Sequence, residues 1–434
     1  MATLFSISLA VSLAAAGCSS DDGGSGSDDQ TLTYWASNQG TSLENDEEIL
    51  TPELEKFTKE TGIEVELEVI SWDNLLNRIL AATTSGDAPD VLNIGNTWSA
   101  SLQATGAFVP FDDAAYEQIG GEDKFLETSL TSTGAEGETP TSVPLYGLAY
   151  GLFYNKQVFA DAGIKSPPAT WEELEQVGEQ ITDPDSDVWG MTIAGASYTE
   201  SVHFAFMFGR QQGTDFFDDE GEADFTSDEA VAAVQQYVDL IGDEGIVNPS
   251  AAQNATTQEA VDDFTSGEAG MIMAQNNTEA TIRSNGMKPE EYGVVPIPFP
   301  ASMPAEGEEI NSHVAGINMS VFQDSNEEAA MQFVDFMTSP EEQVILNQAF
   351  GSLPVTEEAA QDKAFQTENL KIFNQVLAET AATMPMIPNE SQFETTVGNA
   401  VNDLIAQAAT GESVTPDVVE EALSGAEQQM SSGG

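Results

Sequence analysis

The sequence predicts an α/β fold in which strands and helices alternate around a mainly parallel sheet. Segments with strand and helix periodicity follow one another as strand, helix, strand, helix, strand between residues 31 and 94. The same pattern resumes after residue 143 and again after residue 290. With 434 residues, of which 40% are hydrophobic, the chain is long enough for two domains with cores of ordinary size.

The first three elements follow from the spacing of apolar residues. Leu32–Ala36 is predicted to form a strand, and the helix after it ends at Gly62. The apolar face of this helix consists of Leu43, Leu50, Leu54 and Phe57. In Ile63–Ile70 apolar and acidic residues alternate, which is typical of a strand with one face in water.

The next helix and strand complete this α/β unit. Ser71 is a suitable N-cap for a helix. The predicted buried face of this helix consists of Trp72, Leu75, Leu76, Ile79 and Leu80. Val91–Ile94 is predicted to form a further strand, after a turn at Ala88–Asp90. We therefore expect Trp72 to belong to the core.

The charge of the chain is extreme, with 74 acidic residues against 11 lysines and arginines and a formal net charge of −63. Periodic apolar runs throughout the chain argue against disorder. In molar salt the Debye length falls to about 3 Å, so crowded surface carboxylates repel one another less. The composition therefore favours a halophile. It excludes a nucleic-acid partner, because too few cations are present to neutralise phosphates.

The single cysteine, Cys18, lies at the end of an apolar stretch of small residues, Leu4–Gly17. This stretch has the length of a signal peptide and is too short for a permanent membrane span. Leu13–Cys18 resembles a bacterial lipobox, in which the cysteine is lipidated. We therefore expect a signal peptide at 1–17 and a lipidated tether and linker at 18–30, rich in Ser, Gly and Asp.

No pattern in the sequence indicates enzyme chemistry. The two histidines, His203 and His313, are far apart and lack the spacing of metal ligands. The chain has no P-loop, no dinucleotide-binding GxGxxG and no G-x-S-x-G elbow. Carboxylate pairs carry no weight among 74 acidic residues. We predict no catalytic residue, no metal and no cofactor.

Several stretches that follow one another along the chain point to one known family. They are Ser85–Val91 with Gly106–Phe111, Val143–Tyr146 with Leu152–Phe159 and Pro167–Leu174, Phe264–Met271, and Ala329–Phe336 with Ser339–Glu341 and Gly351–Pro354. In this order they resemble segments of the family 1 extracellular solute-binding proteins of ABC importers, which include the maltose-binding proteins. The resemblance covers the chain from about residue 31 to residue 400.

This resemblance implies a two-lobed periplasmic-binding-protein-like clamp with hinge crossovers, which closes on a solute between its lobes. The N-terminal lobe would contain 31–146 plus 312–356, and the C-terminal lobe 147–311 plus 357–434. The expected partners are a small-molecule solute, presumed from the family to be a carbohydrate, and an ABC permease with its ATPase. We expect a monomer held by a lipid anchor on the outer face of the cell membrane.

Candidate ligand-binding residues follow from what a sugar needs, namely flat aromatic faces together with amides and carboxylates. Loops that follow strands supply such groups at a cleft. The candidates are Trp35, Asn38, Asn93, Asn96, Trp98, Tyr150, Glu200 and His203. Trp171 and Trp189 are assigned to packing.

The resemblance to the family adds Asn277, His313 and Glu394 as ligand-binding residues. It also indicates where this chain departs from the maltose-binding pattern. Leu148 stands in place of an acid, and Asn277 and Glu394 stand in place of tryptophans. Stacking of a long oligosaccharide is therefore disfavoured.

Two alternatives remain open at the level of the sequence. One is a binding protein for another solute, such as a polyamine, glycerol phosphate or iron. A phosphate ester would need lysine or arginine in the site, and iron would need grouped tyrosines or histidines. The other alternative is a secreted acidic glycosidase, which would need a matched carboxylate pair in the cleft.

Overall fold

The computed structural model describes residues 31–218 and 221–432, and the predicted signal peptide, Cys18 and the linker lie outside these residues. The strands are β1 (Thr31–Ser37), β2 (Glu64–Ile70), β3 (Val91–Gly95), β4 (Val143–Leu148), β5 (Tyr150–Asn155), β6 (Trp189–Thr192), β7 (Ala269–Gln275), β8 (Tyr292–Val295), β9 (Ser312–His313), β10 (Ala315–Val321) and β11 (Ala381–Ala382).

Helices surround these strands along the whole described chain. They are α1 (Leu43–Thr61), α2 (Trp72–Ser85), α3 (Ser99–Ala104), α4 (Asp113–Gln118), α5 (Glu127–Leu130), α6 (Lys156–Asp161), α7 (Trp171–Ile181), α8 (Tyr198–Gln212), α9 (Asp228–Asp239), α10 (Thr257–Ser266), α11 (Thr278–Ser284), α12 (Glu327–Met337), α13 (Pro340–Phe350), α14 (Glu357–Ala360), α15 (Glu368–Glu379), α16 (Glu390–Ala409) and α17 (Pro416–Ser432). Short 3₁₀ segments include Asn96–Trp98, which directly follows β3.

The strands form two main sheets, and each sheet is the centre of one lobe. The first lobe is built on the sheet β2-β1-β3-β10-β4, and the second on the sheet β6-β7-β5-β8. A separate group of buried apolar side chains fills each lobe, one around Tyr34 and Phe333 and the other around Phe208 and Tyr237. The α/β fold class is confirmed.

The sheets are less parallel than the strand–helix alternation predicts. β1 runs parallel to β2 and β3, as expected, and β6 runs parallel to β7. However, β10 is antiparallel to β3 and β4, and β5 is antiparallel to β7 and β8. The reason is that β5 and β10 follow the crossings between the lobes and enter their sheets from the opposite end.

Local structure in the first lobe agrees with the sequence in most details, but Leu43 of α1 and Leu80 of the predicted buried face of α2 are 41% and 40% exposed. α1 ends at Gly62, whose φ of 80° suits glycine, and the side chains of β2 alternate in exposure. Ser71 occupies the N-cap position of α2, but its side chain makes no capping hydrogen bond. Its hydroxyl accepts from Asn74 Nδ2 at 3.0 Å instead.

The family-like segment before α7 is structural, as its composition suggests. The Thr170 hydroxyl accepts the N–H of Glu173, and the Glu173 carboxylate accepts the N–H of Ala169 at 2.8 Å. Trp171 then packs edge to face on Phe208, with ring centroids 4.9 Å apart. Trp189 is half-buried at the start of β6. The packing role predicted for Trp171 is confirmed.

The chain crosses between the lobes where strands of the two sheets meet. One crossing lies between β4 and β5, next to Ala149, and another between β9 and β10, next to Val314. α14 packs against α13 of the first lobe, and α15, which follows it, packs against β5 and β8 of the second. These crossings lie side by side, so the lobes face each other across them.

Within the described ranges, no helix combines the length and the apolar character that a membrane span requires.

Candidate functional site

A cavity of about 460 Å³ lies between the two lobes, a size typical of small-molecule sites. The first lobe contributes the ends of β1 and β3, the start of α2 and part of β10. The second lobe contributes the N-terminal turns of α8, α10 and α11 and the end of β7. His313, at the β9–β10 crossing, also lines the cavity.

The first-lobe wall contains the segment that directly follows β1, which we call the 38–40 loop. Asp46 in the first turn of α1 holds this loop in place. Its Oδ1 accepts the backbone N–H of Gln39 at 2.9 Å and of Gly40 at 3.0 Å, and its Oδ2 accepts from Asn38 Nδ2. Asp46 has no exposed surface, and burial raises its pKa although these donors oppose the shift.

Two indole rings complete this wall. Trp72 and Trp98 both line the cavity and meet edge to face, with centroids 5.4 Å apart and planes at 69°. Trp72 Nε1 donates to the carbonyl oxygen of Asn38 at 2.8 Å, so the 38–40 loop also orients this ring. Trp72 packs against the core as predicted, but its half-buried ring also extends to the cavity, which the sequence did not indicate.

Trp35 and Asn93 do not lie where the sequence placed them. Trp35 is inside β1, not after it, and it packs under α2 with Arg78 Cζ 4.2 Å from its ring centroid. Asn93 is buried within β3, where its amide bonds Tyr34 and Ser37. Neither residue lines the cavity. Trp35 is half-buried against residues of α2, and Asn93 is 1% exposed, so both side chains pack within the lobe.

Asn96 is correctly predicted to lie at the cavity, and it also fastens the 3₁₀ segment after β3. Its Nδ2 donates to the carbonyl oxygen of Val314 at 2.7 Å and to Ser132 Oγ at 3.0 Å. Val314 belongs to a crossing between the lobes. The amide therefore ties the cavity wall to the segment about which the lobes would move.

The second-lobe wall is organised around Glu200 on α8. The Ser197 hydroxyl caps this helix by accepting the N–H of Glu200. The carboxylate of Glu200 accepts the hydroxyl of Tyr150 at 3.0 Å and the hydroxyl of Thr257 at 3.2 Å. Burial is the main cause that raises its pKa above the ordinary value, and the nearby His203 opposes the shift.

The two histidines, far apart in sequence, lie in contact with ring centroids 4.1 Å apart and planes tilted by 40°. His203 Nδ1 lies 2.8 Å from the Tyr150 hydroxyl, and both histidines line the cavity. His313 is 1% exposed, and burial, followed by the neighbouring His203, lowers its pKa well below the ordinary value. No hydrogen-bond partner in the described chain reaches either ring nitrogen of His313 or His203 Nε2.

Two buried carboxyl groups of α16 lie behind this wall. Glu394 Oε2 accepts the N–H of Trp98 Nε1 at 2.9 Å, and its Oε1 lies 3.8 Å from His203 Nε2. Burial opposes the charged form of Glu394, but the neighbouring His203 outweighs it and the pKa lies below the ordinary value. Burial and the Glu394 charge raise the pKa of Glu390 well above the ordinary glutamate value.

Most of the sequence-predicted residues are brought together here. Asn38, Asn96, Trp98, Glu200, His203, Asn277 and His313 line the cavity. Tyr150 and Glu394 do not line it, but each bonds a residue that does. Residues that the sequence reasoning missed include Gln39, Thr97, Tyr198, Thr257, Gln275 and Thr278. Their common signal is a position at the end of a strand or the start of a helix.

No group of three or more histidine, cysteine or acidic residues in the described part of the chain is arranged to hold a metal ion. The lining offers hydroxyls, amides, two indole rings and one carboxylate, that of Glu200. Such a set can bind hydroxyl groups and present flat apolar faces to a ligand.

Comparison with known proteins gives one consistent family. The sequence profile of the bacterial extracellular solute-binding proteins matches residues 40–344. A putative binding protein of Brucella abortus is 28% identical, with 83% of this chain and 85% of that protein covered. The diacetylchitobiose binding protein DasA of Streptomyces coelicolor is 26% identical, with 88% of each covered.

Two further similarities are informative. The sn-glycerol-3-phosphate-binding protein UgpB of Rhizobium meliloti is 25% identical over 75% of each chain. An ABC transporter solute-binding protein of Thermotoga lettingae, solved with α-D-tagatose, superimposes with a TM-score of 0.77 at 21% identity, covering 92% of this chain and 100% of that one. The structural similarity supports the two-lobed fold.

Proposed function

This chain belongs to the bacterial extracellular solute-binding proteins of ABC transporters, and we propose that it captures a neutral carbohydrate, a monosaccharide or short oligosaccharide. In this proposal the solute is held between the lobes and delivered to a membrane permease with its ATPase. The protein acts as a monomer. Its lobes comprise 31–146 plus 312–356 and 147–311 plus 357–434, and they close by hinge motion about the crossings.

The observation that supports this proposal most directly is the chemical character of the cavity lining. Among the described residues that line the cavity there is no lysine or arginine, and the lining is dominated by hydroxyl and amide side chains around Trp72 and Trp98. Sugar hydroxyls bind such polar groups, and sugar C–H faces stack on aromatic rings.

The same lining disfavours glycerol phosphate and polyamines as ligands. A glycerol phosphate carries two negative charges and is normally bound by arginine or lysine. The cationic candidates at this cavity are the two histidines, and burial holds His313 in its neutral form. A polyamine would pair with Glu200, but that carboxylate already accepts two hydroxyl donors. The lining therefore favours an uncharged ligand.

A thermal-shift screen in molar salt tests the proposal. The panel contains mono- and disaccharides, diacetylchitobiose, glycerol 3-phosphate and spermidine. A ligand at 100 times its Kd stabilises the folded state by about 2.7 kcal/mol, so the true solute should raise the melting temperature clearly. A rise with glycerol 3-phosphate or spermidine alone would contradict the carbohydrate proposal.

We propose that the protein binds this solute without transforming it. A glycosidase needs two carboxyl groups flanking the scissile bond, roughly 5–10 Å apart. Glu200 is the carboxylate that lines the cavity in the described chain, and Glu394 lies behind Trp98. Incubation with oligosaccharides followed by product analysis tests this point. Formation of smaller sugars, abolished by Glu200→Gln, would favour the hydrolase instead.

We also propose that Cys18 is lipidated after cleavage behind Gly17 and anchors the protein outside the cell membrane. The position of this cysteine at the end of the apolar stretch supports the proposal. In a lipoprotein-competent host, Cys18→Ala should release the protein from the membrane fraction. Equal retention of the variant and the wild type would overturn it.

A further inference from the structure

Glu394 connects the second lobe to an aromatic ring of the first. It lies on α16, which packs against the second-lobe helix α8, and its carboxylate is 1% exposed. Its Oε2 accepts the indole N–H of Trp98 at 2.9 Å, from a residue 296 positions away that directly follows β3. Both partners belong to the protein, so the bond can form whether or not a solute occupies the cavity.

A second contact accompanies this bond at the start of the same helix. The backbone N–H of Ser391 donates to Ser101 Oγ on α3 at 3.0 Å. The first turn of α16 therefore lies against the first-lobe residues that follow β3. If the lobes separate, both hydrogen bonds must break together.

On its own side of the interface, the Glu394 carboxyl group lies beside His203 and Glu390. Its Oε1 has no partner at hydrogen-bond distance in the described chain, and the imidazole nitrogen His203 Nε2 lies 3.8 Å away. Glu390, one turn earlier, also lacks partners for both oxygens in that part of the chain. A buried carboxylate is costly without donors, so the Trp98 indole N–H matters more here than at an exposed site.

Trp98 depends on this bond for the orientation of its ring. The ring is 3% exposed and packs directly over Gly95, where an added Cβ would lie 3.1 Å from ring atoms. Trp72 contacts it edge to face from another side. These contacts restrict translation of the ring, and the N–H bond to Glu394 selects which edge faces the second lobe.

We propose that Glu394 is a positioning residue that acts through Trp98: it fixes the indole in the cavity wall across the lobe interface and thereby stabilises the closed arrangement of the lobes. The proposal rests on the proposed function, in which closure accompanies binding. It replaces direct ligand binding as the role expected for Glu394. It predicts a measurable effect in the solute-free protein.

The test follows exchange of the indole protons with solvent by ¹H–¹⁵N NMR of the full chain without solute. The Trp98 signal is assigned by its loss in Trp98→Phe. In Glu394→Leu, which removes the acceptor, we expect the Trp98 indole proton to exchange at least tenfold faster, as for a lost hydrogen bond worth about 1.4 kcal/mol. In Glu394→Gln, whose amide oxygen can still accept, exchange should return to within about threefold of the wild type.

Two controls separate positioning from general loss of structure. Trp171, buried in the second lobe on Phe208, should keep its exchange rate in every variant. Thr395→Ser, an exposed position on the same helix with no bond to Trp98, should leave the Trp98 signal unchanged. Small-angle scattering of solute-free Glu394→Leu should show a larger radius of gyration than the wild type, whereas Glu394→Gln should not.

If Glu394→Leu does not fold, Glu394→Asp provides the same test, because its shorter side chain withdraws the acceptor and keeps the charge. Equal Trp98 exchange in the wild type and the folded variant would overturn the proposal. So would faster exchange without any increase in the radius of gyration, since closure would then be independent of the bond. Neither readout uses a solute, so failure of the carbohydrate screen leaves this test intact.

Discussion

The first-lobe wall of the cavity differs from the second-lobe wall in how its polar groups are satisfied. In the first, Asp46 receives the N–H groups of the 38–40 loop, and Asn96 bonds two oxygens. In the second, hydrogen-bond partners within the described chain are missing for ring nitrogens of both histidines and for carboxyl oxygens of Glu390 and Glu394.

Because of this difference, the two walls are expected to contribute differently to ligand affinity and to stability. In the first wall Gln39 Oε1 also lacks a partner in the described chain, but the loop N–H groups and the Asn96 amide are bonded within the protein. A wall bonded in this way is held in one shape before a ligand arrives, which reduces the entropy lost on binding. A wall with unpartnered titratable groups responds to pH and to the position of the other lobe. We therefore expect the first wall to set affinity through its geometry, and the second to make stability dependent on protonation.

The largest expected effect comes from breaking the support of the first wall. Asp46→Ala removes the acceptor of two buried backbone N–H groups and should lower the free energy of unfolding by about 3 kcal/mol. Glu47→Ala, the exposed neighbour on the same helix, should change it by less than about 0.5 kcal/mol. Urea unfolding in molar salt measures both, and equal midpoints would show that the loop does not depend on Asp46.

A second test concerns the aromatic part of the same wall. Trp72→Ala should weaken binding of the sugar found in the screen by roughly thirtyfold, or about 2 kcal/mol, because the ring lines the cavity. Trp35→Ala should leave affinity within about twofold and lower only stability, because its ring packs under Arg78. Calorimetric titration distinguishes the two. The reverse result would restore Trp35 as the stacking residue.

The second wall should make the stability of the protein depend on pH. Burial raises the pKa of Glu390, so the folded protein favours the protonated form. Stability is then fully present below the ordinary glutamate pKa and is lost as pH rises toward the raised one. Glu390→Gln cannot ionise and should melt a few degrees higher than the wild type at pH 8, with a smaller gap at pH 5.

The titratable groups that face Glu390 are the same in the variant and the wild type. They are Glu394 on the same helix and Tyr198 on α8. Thr396→Ser, a half-buried position on α16 that carries no titratable group, is a matched control and should show the same pH dependence as the wild type. A gap that is equal at pH 5 and pH 8 would mean that Glu390 does not titrate in this range.

The smallest effect on either wall should come from salt. The charge of −63 lies mostly on the surface. In molar salt the Debye length shortens to about 3 Å and repulsion between these charges weakens, so the melting temperature should rise. The proposed ligand is uncharged, so sugar affinity should change less than about threefold between conditions in which the protein stays folded. A flat melting temperature would remove the halophile interpretation without affecting the site.

Local sequence patterns were enough to predict most secondary-structure elements and the class of protein. Apolar periodicity placed β1, α1, β2 and α2 within one or two residues of their observed bounds, because period and capping are local properties. The family-like segments indicated the two-lobed fold. Strand ends pointed correctly to Asn38, Asn96 and Trp98, because the ends of neighbouring strands meet at one edge of a sheet.

Only the tertiary structure decided which aromatic side chains reach the cavity. Periodicity shows that one face of an element is apolar, but not whether that face is covered by a helix or opens on a cleft. Trp35 lies under α2, whereas Trp72 at the first position of α2 reaches past the core. The bond between Glu394 and Trp98 joins residues 296 positions apart, and it exists because α16 of the second lobe lies against the first-lobe segment that follows β3. Contacts between distant segments depend on how the lobes pack, which no local pattern records.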